Sequence, residues 1–273
     1  MKCLKSHKTF NGITQFWSHF SHETKTEMKF STYIPQGIVK GCIIWLSGLT
    51  CNEENFISKA GPQKILSECG LMVIAPDTSP RGLNLPGEQQ AYDFGSGAGF
   101  YVDATEVPYE QNYRMYSYIA NELYELIQNE FKVKNISIMG HSMGGHGALV
   151  IALKNPEKFK SVSAFSPLVN PSVSPWGIKA FLGYLGNDKL KWKEYDTIEL
   201  LKSGKFHPTT ILIHQGVDDE FLKNQLMTEK FNEIANNTKQ KHLVKFCEGF
   251  DHSYYFISTF IEEQIRHHEQ FLK

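Results

Sequence analysis

The chain has 273 residues, with 28 basic against 29 acidic side chains and a formal charge of −1, a balance that implies no nucleic acid or other polyanion as partner. Apolar residues make up 41% and charged residues 21%, which suits a globular protein with a buried core, and the length suits one α/β domain over residues 1–273. The amino terminus is charged with no apolar run behind it, and nowhere are there about 18 consecutive apolar residues, so neither a secretion signal nor a membrane span is expected.

The first third opens with two runs of β character, 13–20 and 28–34, joined by a polar stretch and read as an antiparallel hairpin. Beyond Pro35 the pattern changes: apolar runs at 42–46 and 71–75 flank a helix-like segment at 55–69 that Gly70 closes. That alternation predicts parallel strands with crossover helices. Residues 76–112 are rich in Gly, Pro, Asp and Ser, yet too long and too aromatic for a simple linker, and are read as an ordered functional loop. A helix is expected over 114–131, where Met115, Tyr118, Ile119, Leu123 and Leu126 fall on one stripe. There follow strands at 136–139, 161–165, 209–214 and 242–247, a loop and short helix at 175–185, and helices at 222–234 and 254–271.

Five cysteines, odd in number and widely spaced with no Cys-X-X-Cys pair, point to a reducing compartment, without disulfides or a zinc ribbon. Eleven histidines include no His-Glu-X-X-His helix, and His267 and His268 stand among charges, where a solvated surface is expected; no metal site is implied.

The most informative stretch is Ile136-Ser-Ile-Met-Gly-His-Ser-Met-Gly-Gly-His-Gly-Ala148. Its Gly140-X-Ser142-X-Gly144 core has the form of a nucleophile elbow, a turn between strand and helix so sharp that the serine hydroxyl stands clear at the end of the strand. A serine hydroxyl is a weak nucleophile at neutral pH and needs an imidazole to take its proton and a carboxylate to orient the imidazole. In α/β-hydrolases the acid and then the histidine follow the serine, each on a loop after a later strand. Asp219 meets the first requirement, with Asp218 as rival, because the strand 209–214 exits through Gly216 into two adjacent carboxylates. His252 meets the second, between the last strand and the last helix, with His214 as the other candidate. His141 and His146 flank the serine too closely and are expected to pack or hydrogen-bond locally. The oxyanion needs two N–H donors, assigned to the backbone of Met143, next after the nucleophile, and of Leu49, in the loop after the strand 42–46.

Taken with Trp45 to Cys51, Ala75-Pro-Asp-Thr-Ser-Pro-Arg-Gly82, Gly99-Phe-Tyr-Val-Asp-Ala-Thr105, Ser174-Pro-Trp-Gly177 and Asp251-His-Ser-Tyr-Tyr-Phe256, the elbow resembles the S-formylglutathione hydrolases, the esterase D group of α/β-hydrolases. The resemblance runs nearly the whole chain and rests on loop sequences that generic hydrolases lack. It implies an α/β-hydrolase fold: a mostly parallel central sheet flanked by helices, with antiparallel amino-terminal strands. It further implies Ser142, Asp219 and His252 as the triad, Leu49 and Met143 as oxyanion donors, no cofactor, a cytoplasmic homodimer, and hydrolysis of S-formylglutathione with side activity on short acyl esters. One departure stands at His214, where relatives often carry an acidic residue. For such a substrate Trp176, Phe181 and Tyr184 are candidate walls of the acyl pocket, Arg81 and Lys59 candidate partners of glutathione carboxylates, and Cys51 a thiol two residues beyond the oxyanion donor. The same triad also suits a general short-chain esterase or an acyltransferase; a non-catalytic interaction protein on the same fold is the alternative of another class.

Overall fold

Apolar strands with no exposed face belong in the middle of a sheet covered on both sides, and that is where the fold puts them. The computed structural model describes residues 1–273. Its strands are β1 (Lys2–Lys8), β2 (Gly12–Ser21), β3 (Thr26–Pro35), β4 (Gly41–Leu46), β5 (Leu71–Pro76), β6 (Ile136–His141), β7 (Val162–Phe165), β8 (Ile211–Gly216) and β9 (His242–Cys247). They form one nine-stranded sheet in the order β1-β2-β3-β5-β4-β6-β7-β8-β9. The first three pair antiparallel, β3 meets β5 antiparallel, and every pairing from β5 to β9 is parallel. The expected architecture therefore holds, with an additional strand: β1 is exposed along its whole length and pairs only with β2.

Helices cover both faces: α1 (Glu53–Lys59), α2 (Gln63–Cys69), α3 (Met115–Ser117), α4 (Tyr124–Glu130), α5 (Met143–Lys154), α6 (Pro175–Leu185), α7 (Lys189–Lys193), α8 (Thr197–Lys202), α9 (Thr228–Asn236) and α10 (Tyr254–Glu269). The segment expected as one helix over 55–69 is two, because Gly61 adopts φ +66° and Pro62 has no amide to continue the ladder. Gly70 does close the second of them, in the left-handed conformation. One wide π turn, Tyr118–Leu123, joins α3 to α4. The larger core lies on the face covered by α3 to α9; the smaller, built on Trp45, Phe56, Phe165 and Phe256, lies under α1, α2 and α10. No helix is long and apolar enough to cross a membrane.

His268 corrects an expectation. It is fully buried beneath the sheet, its two ring nitrogens 2.7 Å from the hydroxyls of Ser161 and Ser163, because α10 turns this position inward. Burial holds its pKa well below the usual range, and burial likewise pushes His146 down to about 4. Unfolding would return both to about 6.5. Between that value and the folded pKa the unfolded chain binds more protons, so stability falls as pH falls, at about 1.4 kcal/mol per pH unit for each imidazole held neutral. The urea midpoint is expected to drop steeply from pH 7 to pH 5; a flat midpoint over that range would contradict the burial argument.

Candidate active site

Strand β6 is buried throughout and delivers Ser142 into a turn with φ 58° and ψ −120°, a conformation rare for a non-glycine residue. The elbow closes only because its neighbours have no side chain. A Cβ on Gly140 would strike the Gly144 carbonyl, and one on Gly144 would strike that of Leu46. The strained residue is held by its backbone: Ser142 N–H donates to Phe165 at 3.0 Å, and its carbonyl accepts from His146 and Leu168.

Asp219 and His252 are 33 residues apart in the chain, and two loops bring them together. Asp218 N–H donates to the Phe250 carbonyl at 3.0 Å, and Gly216 packs so closely on that carbonyl that any larger residue would separate the loops. His252 Nδ1 then lies 2.6 Å from Asp219 Oδ2. Because a carboxylate only accepts, Nδ1 carries the proton, and in the neutral ring Nε2 is left as the base. The carboxylate is fixed by Phe221 N–H at 2.9 Å and by Gln215 Nε2 at 3.2 Å. Of the rival acids, Asp219 is buried and Asp218 exposed.

The imidazole of His252 is flanked by His141, ring centroids 4.4 Å apart, and by the edge-on Phe221 at 5.1 Å. Burial and the neighbouring His252 hold the His141 pKa well below its ordinary value, so the inner ring stays neutral. The loop after β4 lies against the serine: a Cβ on Gly48 would sit 3.1 Å from that of Ser142. In that loop the Leu49 N–H has no partner within the chain. Met143 is the first residue of α5, where helix amides have no intrahelical acceptor. Two free donors beside a serine suit an oxyanion.

Ser142 and His252 share one cleft of about 340 Å³, together with Leu49, Cys51, Lys59, Tyr92, Trp176, Phe221 and Tyr254. Trp176 is thus a wall, and Lys59 sits on the rim with its ammonium 5.7 Å from the Tyr254 ring centre. Phe181 and Tyr184 are not walls. Five residues beyond Trp176, Phe181 is turned about 140° around α6 and packs edge-on against Trp192. Tyr184 is stacked on Phe94, and its hydroxyl is spent between Gly95 N–H and the Ala98 carbonyl. Arg81 is tied to Asp77 and to the Cys51 carbonyl and does not line the cleft. His214 is buried against α10, its ring nitrogens toward Glu263 and Gln264, and His146 hydrogen-bonds the Phe100 carbonyl. Sequence reasoning missed Tyr92, Phe221 and Tyr254, and set His141 aside. Tyr92 belongs to the aromatic loop 76–112, and Phe221 follows the acid by two residues, the only signals that pointed to them.

A family model described as putative esterase matches residues 21–267. S-formylglutathione hydrolase of Rattus norvegicus is 54% identical over 278 residues, covering 100% of this chain and 99% of the relative. That of Arabidopsis thaliana is 47% identical, covering 99% and 97%. The chain belongs to the S-formylglutathione hydrolase family. A solved S-formylglutathione hydrolase from Agrobacterium tumefaciens superposes with a TM-score of 0.96 at 42% identity, each chain covered completely. The sheet described above is accordingly that of an α/β-hydrolase, and the cleft is the part of this S-formylglutathione hydrolase family member to test for chemistry.

The thiol of Cys51 lines that cleft half-buried, and burial pushes its pKa up, so it is a slow nucleophile in the resting protein. Once alkylated it would fill space beside Leu49. Treatment with a bulky maleimide is expected to abolish esterase turnover, and Cys51→Ser to protect at least about 10-fold in inactivation rate while keeping the activity, since the thiol takes no part in the chemistry. Equal sensitivity in Cys51→Ser would move the effect to another cysteine, Cys247 first.

Proposed function

We propose that this chain hydrolyses S-formylglutathione to glutathione and formate, with Ser142 as nucleophile, His252 as general base and Asp219 as its orienting acid. The observation that carries the reading is the 2.6 Å bond from Asp219 to His252 at the cleft that also holds the strained Ser142. Ser142 Oγ attacks the formyl carbon while His252 Nε2 takes its proton, and the oxyanion forms between the Leu49 and Met143 amides. Collapse breaks the carbon–sulfur bond, the thiolate departs with the proton from His252, and a formyl-enzyme remains. Water that loses its proton to His252 then attacks the formyl carbon, and Ser142 leaves with that proton as formate is released.

A thiolate leaves readily, so selectivity rests on fit. Tyr92, Trp176 and Phe221 line the cleft and suit a small acyl group, and the Lys59 ammonium on the rim suits a carboxylate of the thiol portion. A misfitting methylene costs about 1 to 3 kcal/mol, so a few carbons produce a large drop. Formyl and acetyl thioesters of glutathione are expected to exceed the hexanoyl thioester by at least about 100-fold in kcat/KM. A preference for long acyl chains, or indifference to the glutathione portion, would leave a serine hydrolase without this substrate. The reading extends to side activity on short acyl esters and to a cytoplasmic homodimer in formaldehyde detoxification; sedimentation at micromolar concentration tests the dimer.

A further inference from the structure

The loop 47–51, which carries the Leu49 amide, is anchored almost wholly by residues from outside itself. The Tyr101 hydroxyl donates to the Ser47 carbonyl at 2.9 Å, and Thr50 N–H donates to the Gly97 carbonyl at 2.9 Å. At its far end the Cys51 carbonyl receives two donors, the Thr78 hydroxyl at 2.5 Å and Arg81 Nη2 at 2.9 Å. The loop needs such restraint. Thr50 has φ +67°, an unfavourable conformation for a β-branched residue, which persists only where its surroundings over-determine it.

We propose that Arg81 and Thr78 are positioning residues for the reaction: together they clamp the Cys51 carbonyl from behind the cleft and so set where the Leu49 N–H points. The clamp is itself rigid. Arg81 Nε lies 3.1 and 3.2 Å from the two oxygens of Asp77, and its Nη2 lies 2.7 Å from Oδ1. Asp77 is buried at the end of β5, with Oδ1 also accepting Thr78 N–H at 2.7 Å and its own amide tied to the Lys29 carbonyl. A planar guanidinium can hold a carboxylate and a carbonyl at once in this geometry, and a lysine ammonium cannot reproduce the fork. Arg81 thus serves the site from outside the cleft, through the backbone of the residue whose thiol lines it.

The inference rests on the proposed hydrolysis and on Leu49 as an oxyanion donor. An amide misplaced by a fraction of an ångström weakens the transition state far more than the bound ester, so the loss falls on kcat. We would compare wild type, Arg81→Lys, Thr78→Val and Thr78→Ser for kcat and KM on S-formylglutathione and 4-nitrophenyl acetate. We would also measure inhibition by a short-chain trifluoromethyl ketone, whose adduct with Ser142 places an oxyanion between the two donors. Arg81→Lys and Thr78→Val are expected to lose about 10- to 100-fold in kcat with KM little changed, and to bind the ketone more weakly in proportion. The pH–rate profile is expected to keep its shape, because Asp219 and His252 are untouched, and Thr78→Ser, which keeps the hydroxyl, is expected to be near wild type. Thr78→Val carries the test alone if Arg81→Lys fails to fold. Folded variants with wild-type kcat, or with reduced kcat and undiminished ketone affinity, would overturn the clamp. A wild-type protein that neither turns over the thioester nor binds the ketone would instead overturn the reading beneath it, and the clamp with it.

Discussion

Ser142→Ala is expected to lower kcat on S-formylglutathione by on the order of 10⁴- to 10⁶-fold and to abolish labelling by a fluorophosphonate probe. The size of the effect follows from the role: without the hydroxyl no acyl-enzyme forms, and what remains is the help of the oxyanion donors and binding to direct attack by water. The fold has little reason to change. The substitution removes one oxygen from a residue whose backbone is held by Phe165, His146 and Leu168, so the elbow remains closed and the melting temperature is expected to move by only a few degrees. Intact-mass measurement after probe treatment separates the possibilities, since a covalent adduct on another serine in the Ser142→Ala protein would remove Ser142 from its assigned role.

How far the sequence is legible depends on how much of each element is buried. Strand β6, buried throughout, is legible to its observed start because a buried apolar run begins there abruptly after a charged stretch. Strand β1 was invisible: Lys2 to Lys8 buries no side chain, so it has no hydrophobic period and exists only through its ladder with β2. Helices α7 and α8 were missed for a different reason. Their amino-terminal caps, Asp188 and Asp196, are visible in the sequence, but each helix is too short to display a period of its own. At the site, the elbow was legible because close packing demands glycine at both Gly140 and Gly144. Which aromatic residues of α6 face the cleft was not, because a helix shows its faces only once its neighbours are known. Trp192 and Phe94 are the residues that draw Phe181 and Tyr184 inward. The sequence marks Arg81 as a candidate partner of glutathione carboxylates, whereas its partner Asp77, four residues earlier, commits it to the Cys51 carbonyl.

The exchange Asp219→Asn is expected to cost about 10⁴-fold in kcat, whereas Asp218→Asn should stay within a few-fold of wild type. The reason is a proton position. Asp219 Oδ2 accepts from His252 Nδ1, which leaves Nε2 unprotonated and able to take the serine proton. Asparagine is nearly the same shape, but its amide can donate to Nδ1, favouring the tautomer with its proton on Nε2, where the base is then blocked. Asp218 is exposed and offers His252 no such partner in this geometry, so its charge acts only through solvent. The pH–rate profile gives an independent check. Activity of the wild type is expected to rise with pH, because only neutral imidazole accepts the proton. His141, although 4.4 Å away, adds no ionisation of its own to that rise, since burial and the neighbouring His252 hold its pKa well below the ordinary value. His252→Ala should remove the pH dependence together with the activity. Near-normal turnover in Asp219→Asn beside an inactive Asp218→Asn would reverse the assignment of the acid and require the loop after β8 to rearrange before catalysis.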